Sequence, residues 1–384
     1  MGPDHKLDST ATNRDLELTR KALELSALGR GLVSPNPLVG CVILDTDGRV
    51  AGQGAYIKDN IVHAEVTALA QAGERARGGT AYVSLEPHDH HGKTPPCTEA
   101  LIGAGIRRVV CPIEDPNPLV SGRGFERLRS AGIEVLTGIL AKEAARLNEK
   151  FICWHKKQRP FVHLKLAMSL DGRISMGSSV STALSGEAAR RRVHDLRHEH
   201  DAILVGANTA VVDNPSLTDR SGKERRRPLV RVILDNRLRL AENSTLVTTT
   251  DQAPTLAFTN CIDPEAFTNC IDPEAVTRLT NKGVVVIPVE GGARNLKLVL
   301  DELYKREVQS VLVEGGTGVA GAFVDARLVD KITLICAPLI IGGEQAPSAI
   351  GGRGATTLAD ALRFRDIEVT RLGGDIEITG YPEQ

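Results

Sequence analysis

Three short stretches in the first hundred residues carry side chains able to hold a metal ion and move a proton: His63-Ala-Glu65, Pro87-His88 and Cys97. A catalytic zinc site uses three protein ligands and leaves a fourth position for water, while a carboxylate outside the ligand set carries the proton. His63, His88 and Cys97 supply three ligands, and Glu65 supplies the shuttle. A His and a Glu two residues apart arise by chance in many helices, so that pair alone is weak. The reading depends on all three stretches converging. His90 and His91 follow closely, and a ligand set that uses His90 instead of His88 stays open.

A second constellation begins past residue 160. Val311-Leu-Val-Glu-Gly-Gly-Thr317 reads as a strand opening into a helix, and Gly316, Gly318 and Gly321 are the three spaced glycines of a dinucleotide turn. Backbone amides at a helix start are available to phosphate. A Rossmann unit also asks for an acidic residue about 20 positions on, and Ile335 to Ile341 offers none. The glycines therefore fit a phosphate turn in another kind of α/β sheet, or a helix cap with close packing. Lys223-Glu-Arg-Arg-Arg227 reads as a solvated loop rather than a phosphate clamp.

The elements that must position these residues follow from hydrophobic periodicity. Leu16, Leu18, Leu23, Leu25 and Leu28 recur mainly at helical spacings from Asn13, and Gly29 and Gly31 end the run. Val39 to Leu44 and Arg49 to Ala51 flank the turn Asp45-Thr-Asp-Gly48, a hairpin. Helices are then expected around His63 to Ala72, Pro96 to Ala104 and Gly124 to Ser130, alternating with strands Thr80 to Leu85, Arg108 to Pro112 and Ile133 to Thr137. Leu147 to Pro160 reads as a connection ending at a proline. Beyond it lie strands Phe161 to Ala167, Ala202 to Val205, Leu229 to Leu234, Val284 to Val289 and Val311 to Glu314, a helix Glu187 to His198, and a closing hairpin of 367–370 with 375–379. Both halves are α/β layered. Ala257 to Glu265 is repeated without change as Ala266 to Glu274. The first copy should continue a strand and the second should enter a helix at Asp272-Pro-Glu, with loop between them.

Length and composition agree with two domains. A chain of 384 residues exceeds the usual size of one, roughly 100–200 residues, and 41% hydrophobic with 25% charged residues is ordinary for a globular protein. The 47 basic and 48 acidic side chains nearly cancel, so no global field draws the chain to nucleic acid or an anionic membrane. The apolar run Leu334 to Ile341, broken by Pro338, is far short of the ~20 residues that span a bilayer. Seven cysteines, an odd number at scattered positions, do not form a disulfide framework. The start of the chain, with Asp4, Lys6 and Asp8, does not read as a secretory signal. A cytoplasmic enzyme of small substrates is expected.

A specific resemblance joins both constellations. Pro35-Asn-Pro-Leu-Val-Gly-Cys41, His63-Ala-Glu-Val66, Leu85-Glu-Pro87, His91-Gly-Lys-Thr-Pro-Pro-Cys97 and Asp115-Pro-Asn-Pro118 resemble the deaminase half of the bifunctional riboflavin-biosynthesis deaminase/reductases. Lys165 to Arg173, Asp201 to Ala210 and Asp213-Asn-Pro215 resemble the reductase half. The resemblance implies a cytidine-deaminase-like three-layer α/β/α domain over 13–150 and a dihydrofolate-reductase-like α/β domain over 160–381. It implies zinc-assisted deamination of a diaminopyrimidine ribosyl phosphate, then NADPH reduction of the ribose to ribityl, in a homo-oligomer. Lys165, Ser181, Arg197, Leu217, Arg220 and Glu314 would hold the phosphoribosyl substrate, and Ala167, Ala183, Thr209, Asp213, Asn236, Gly316, Gly318 and Gly321 would hold NADPH. Two positions depart from the family: His88 stands where a cysteine is usual, and Ala183 where a tryptophan is usual. Histidine is a legitimate zinc ligand. The alternative is a reductase whose first domain is only a scaffold.

Overall fold

The computed structural model describes residues 11–57, 62–91, 95–177, 180, 182–260 and 273–383. The chain divides into two compact units between Gln158 and Arg159.

In the first unit, strand β1 (Gly40–Leu44) is buried along its whole length because its side chains alternate between two cores. Cys41 and Ile43 pack with Ala64, Ala68, Leu101, Phe125 and Leu128 on one face. Val42 and Leu44 pack with Leu18 and Ala22 on the other. The first face is covered by helices α2 (Ala64–Ala72), α3 (Cys97–Gly103) and α4 (Arg123–Ser130), the second by α1 (Asn13–Ser26), which gives three layers. With β2 (Val50–Ala55), β3 (Thr80–Val83), β4 (Arg108–Cys111) and β5 (Glu134–Thr137), the sheet order is β2-β1-β3-β4-β5. Strand β1 is antiparallel to both neighbours and β3, β4 and β5 run parallel.

Helix α1 starts in a capping box. The Thr12 hydroxyl accepts from the Asp15 amide and the Asp15 carboxylate accepts from the Thr12 amide. The same carboxylate accepts from Tyr82 Oη at 2.9 Å and Arg108 Nη1 at 2.7 Å, which ties the helix to the sheet. Helix α2 lies unusually close to β2: a Cβ on Gly52 would stand 2.0 Å from the Ala68 carbonyl oxygen, and one on Gly54 2.2 Å from that of Ala64. Only glycine permits this approach, and it fixes the height of α2 over the sheet.

The second unit begins with β6 (Phe161–Ser169) and continues through α7 (Glu187–His198), β7 (Ala202–Gly206), α8 (Ala207–Asp213), β8 (Val230–Leu234), α9 (Thr245–Thr248), β9 (Thr255–Asn260), α10 (Pro273–Thr280), β10 (Val285–Val289), α11 (Leu296–Lys305), β11 (Ser310–Val313), α12 (Thr317–Asp325), β12 (Lys331–Ala337), β13 (Phe364–Leu372) and β14 (Asp375–Pro382). The sheet order is β10-β9-β8-β7-β11-β6-β12-β14-β13. Its pairs are parallel from β10 to β12, and β14 and β13 close it in antiparallel fashion. Ala202 and Leu204 face the core with α11 and α12, whereas Ile203 and Val205 face α8, α9 and α10.

Two expectations need correction. The stretch from Leu147 is no plain connection: α5 (Ala141–Leu147) and α6 (Glu149–Lys157) occupy it, with Phe151 and Cys153 buried. Strand β12 escaped the sequence reading because a parallel strand covered on both faces shows an unbroken apolar run rather than alternation. The repeat behaves as expected where it is described, since Ala257 to Asn260 end β9 and Pro273 and Glu274 open α10. The interval expected as loop lies outside the described residues.

Candidate active sites

His63 caps α2 with extended backbone, which leaves its ring outside the helix, while Glu65 sits in the first turn and is buried. Cys97 opens α3 and is fully buried. His88 follows β3, with its carbonyl 3.4 Å from the Thr98 amide. The loop that carries it is braced by Thr98 Oγ1 donating to Asp89 Oδ1. One ligand atom each from His63, His88 and Cys97 lies within 4.8 Å of the others. The ring centroids of His63 and His88 are 4.6 Å apart, and those of Tyr56 and His63 5.2 Å. His90 lies 5.1 Å from the His88 ring but is exposed and outside the cluster, which favours His88 as the ligand. His91, also exposed, instead faces Glu99 at 3.4 Å.

The site's electrostatics suit a metal. Burial, with the charges of His63 and His90, pushes His88 down to about 4, so its ring is neutral near pH 7 and offers a lone pair. Burial, with Glu65 beside it, drives the Cys97 thiol well above its ordinary range. A cation is what would make that thiolate stable. Burial also raises Glu65, against the opposing pull of His63. Its Oε2 is buried without a hydrogen-bond partner among the described residues, an acceptor that a bound water could satisfy. Two imidazoles, one thiolate and this orphaned carboxylate oxygen fit zinc with an open position.

Two residues of the quoted motifs act by support. Asn36 Nδ2 donates to Tyr56 Oη at 2.6 Å, holding the ring that backs His63. The Glu86 carboxylate is buried and accepts from the amides of Asp115, Gly122, Gly124 and Phe125. It fixes the loop after β4 and the start of α4 directly behind Pro87, whose carbonyl oxygen would lie 2.0 Å from a Cβ at position 124.

The second site lies where β6, β11 and β7 run side by side. Glu314, just past β11, accepts from Arg197 Nε at 2.8 Å and Nη2 at 3.1 Å, and Lys165 Nζ of β6 is 3.6 Å away. Burial alone would raise Glu314, but Lys165 and Arg197 hold it down at about 2. Arg197 Nη1 also donates to the Thr218 carbonyl, which binds α7 to the loop carrying Leu217 and Arg220. Leu217 is buried with φ 48°, and Arg220 is exposed. Two cations on one carboxylate leave an excess positive charge suited to phosphate.

Beside this cluster, β7 and β11 each run straight into a helix through a glycine cap, Gly206 for α8 and Gly316 for α12. A Cβ on Gly316 would lie 3.6 Å from Thr209 Oγ1, so the two helix starts adjoin at the carboxyl ends of parallel strands. Such a crevice is where open α/β sheets bind nucleotides, and the free amides of α12 suit a nucleotide phosphate. Gly318 has open space around it. Gly321 is instead a packing residue: it is buried, and a Cβ there would stand 2.3 Å from the Gly351 carbonyl.

The remaining expected residues scatter around this core. Asn236 Oδ1 accepts from the Ala293 amide at 2.6 Å, Asp213 is exposed at the end of α8, and Ala183 is exposed ahead of α7. Ala167 packs with Ala189 and Val193 of α7. Ser181 lies outside the described residues. The basic run 223–227 is not simply solvated. Arg225 is 14% exposed and donates to the carbonyls of Arg197, His198 and His200 and to Asp219, satisfying the carboxyl end of α7. No local signal marks it, because helix and clamp meet only in the fold.

Comparison with known proteins covers nearly the whole chain. Residues 160–378 match the family described as RibD C-terminal domain, and 12–113 match the cytidine and deoxycytidylate deaminase zinc-binding region. A riboflavin biosynthesis protein RibD from Bacillus amyloliquefaciens is 41% identical over 94% of this chain and 95% of its own. The structure of Acinetobacter baumannii RibD superposes with a TM-score of 0.83 at 36% identity, covering 97% of this chain and 99% of its own. A Thermotoga maritima structure described as a diaminohydroxyphosphoribosylaminopyrimidine deaminase/5-amino-6-(5-phosphoribosylamino)uracil reductase gives 0.82 at 34% identity, covering 96% of this chain and 99% of its own.

Proposed function

This chain belongs to the RibD family of riboflavin-biosynthesis deaminase/reductases, and from that premise we propose how its residues divide the two reactions. It is a bifunctional enzyme that uses zinc in a deaminase domain and NADPH in a reductase domain, and a reductase-only reading finds no support. We assign 13–150 to deamination of the diaminopyrimidine ribosyl phosphate and 160–381 to reduction of its ribose.

The observation that carries the first assignment is the convergence of His63, His88 and Cys97 to within 4.8 Å beside the buried Glu65. Bound there, zinc supplies a Lewis acid with one position open to water. Glu65 takes a proton at its partnerless Oε2 and returns it to the departing amino nitrogen, a role that its raised pKa suits. Tyr56 fixes the His63 ring, and the Asp89–Thr98 contact fixes the loop of His88.

In the second domain, NADPH supplies the hydride to the open-chain ribose. Lys165, Arg197, Arg220, Leu217 and Ser181, with Glu314 orienting the cations, hold the phosphoribosyl group. Thr209, Asp213, Asn236, Ala167, Ala183 and the turn that starts at Gly316 line the cofactor's side. The exposed Ala183 leaves the nicotinamide without an aromatic wall. We place the enzyme in the cytoplasm, as a homo-oligomer. Cys41, Cys97, Cys111 and Cys336 are buried and lie outside any disulfide, and Ile367 and Val369 are left exposed on β13. No helix among the described residues is long and apolar enough to cross a membrane.

Metal analysis with ammonia release tests the zinc assignment. Protein purified without chelator should carry about one zinc per chain, as a single mononuclear site requires. His88→Ala leaves two protein ligands and should lose both metal and deamination, whereas His88→Cys should keep both. A metal-free protein that releases no ammonia when zinc is added would overturn the assignment.

A further inference from the structure

His194 takes no part in the assignments above, yet it stands in the middle of the reductase's basic cluster. It lies one turn before Arg197 on α7, so the two side chains share a helix face. Its Nδ1 accepts a hydrogen bond from the Arg220 amide at 3.2 Å. That bond decides the tautomer: in the neutral ring the proton sits on Nε2, which is left as a donor. Nε2 makes no hydrogen bond among the described residues, and the ring is partly accessible.

Four charged groups face the imidazole. Burial comes first among the influences on it, followed by Arg197 and Arg220, which together hold its pKa below the ordinary value against Asp219 and Glu314. The ring is therefore neutral at neutral pH. A neutral donor within the influence of the Arg197 and Arg220 charges adds a directed hydrogen bond to an anion without adding charge repulsion to an already cationic pocket.

We propose that His194 is a further substrate-binding residue of the reductase, donating from Nε2 to the phosphate of the ribosyl chain between Arg197 and Arg220. The proposal rests on the reading that this cluster holds the phosphoribosyl group. It predicts a specificity contribution directed at the phosphate and absent from the cofactor's side.

Three substitutions separate the two ring nitrogens. Asn reproduces an acceptor near Nδ1, Gln carries its amide N–H toward Nε2, and Leu provides neither. With the purified bifunctional enzyme, KM is measured for the phosphorylated substrate, for its dephosphorylated analogue and for NADPH. His194→Asn and His194→Leu should raise KM for the phosphorylated substrate by about tenfold or more, the usual effect of losing a hydrogen bond to a charged group. The values for NADPH and for the dephosphorylated analogue, and kcat, should change by less than about threefold, because the interaction is uniform binding to a non-reacting group. His194→Gln should recover most of the loss. Rescue by Asn and not by Gln would show that the ring only holds the Arg220 loop through Nδ1, and would overturn the proposal. So would an unchanged phosphate preference in all three variants. Arg197→Gln serves as the control: if it too leaves KM for the phosphorylated substrate unchanged, the cluster does not hold phosphate and the underlying reading fails. If Arg197→Gln raises that KM and His194→Asn does not, the inference about His194 alone falls.

Discussion

Glu314 shows how much one side chain can carry. Its side chain is only 11% exposed, with Arg197 in two-point contact and Lys165 at 3.6 Å, so removing its charge leaves two cations without their counter-ion. Glu314→Gln should lose substrate reduction and cost about 3–5 kcal/mol of stability at pH 7, the usual penalty for breaking a buried pair. The pH dependence has a definite sign. The folded carboxyl is held at about 2 against an ordinary value of 4.5. Its contribution is therefore fully present above the unfolded value and is lost as pH falls from about 4.5 toward 2. Urea unfolding at pH 7 and at pH 3 should show the stability gap between wild type and Glu314→Gln narrowing in acid. A gap that is constant between those pH values would contradict the assigned ionisation. At this scale the sequence was informative about residue types, and His63, His88 and Cys97 lie within 4.8 Å of one another. It was silent on His194 and read Arg225 as part of a solvated loop, because the partners of both lie in other segments.

Among the elements, the tandem repeat supplies both sides of one crossover. Ala257 to Asn260 of the first copy complete β9, and Pro273 and Glu274 of the second begin α10. Because the copies are identical, removing residues 266–274 leaves the same strand end and the same Asp-Pro-Glu helix start, now joined by Cys261, Ile262 and Asp263. A connection of about three residues lies within the usual 2–6 for a strand-to-helix loop, and shortening a loop costs little entropy. The deletion variant should keep both activities and fall by less than about 5 °C in thermal midpoint, the shift expected from ~1–2 kcal/mol in a domain of this size. A larger fall, read by calorimetry, would mean that the extra nine residues are packed against the sheet. The helix starts that matter for chemistry are likewise set by their elements: Gly52 and Gly54 fix the height of α2, and Gly206 and Gly316 cap α8 and α12, the helices that follow neighbouring strands.

For the whole molecule, each unit has its own sheet and its own cores, and each candidate site is built from residues of one unit only. The two reactions should therefore separate on mutation. Glu65→Ala should abolish ammonia release while leaving NADPH oxidation on the deaminated substrate within about threefold, since the hydride site keeps all its interactions. Assaying both activities on one preparation decides the matter. Joint loss in a protein that is still folded by circular dichroism would mean that the sites depend on each other.

The sequence alone determined the two α/β halves and marked a candidate ligand set and a candidate glycine turn, because hydrophobic periodicity, turn chemistry and short motifs are written in contiguous residues. It also fixed the ends of α7 and the closing hairpin to within a few residues. The tertiary structure decided what depends on distant segments meeting. It placed His88 in the cluster with His63 and Cys97 and left His90 exposed. It separated Gly316 at a helix start from Gly321 in a backbone contact, two residues that the motif treats alike. It turned the stretch before Pro160 into helices, and made a strand of the apolar run from Lys331 by covering both its faces. Local sequence sets which conformations are cheap, whereas burial and partner geometry decide which side chains share a site.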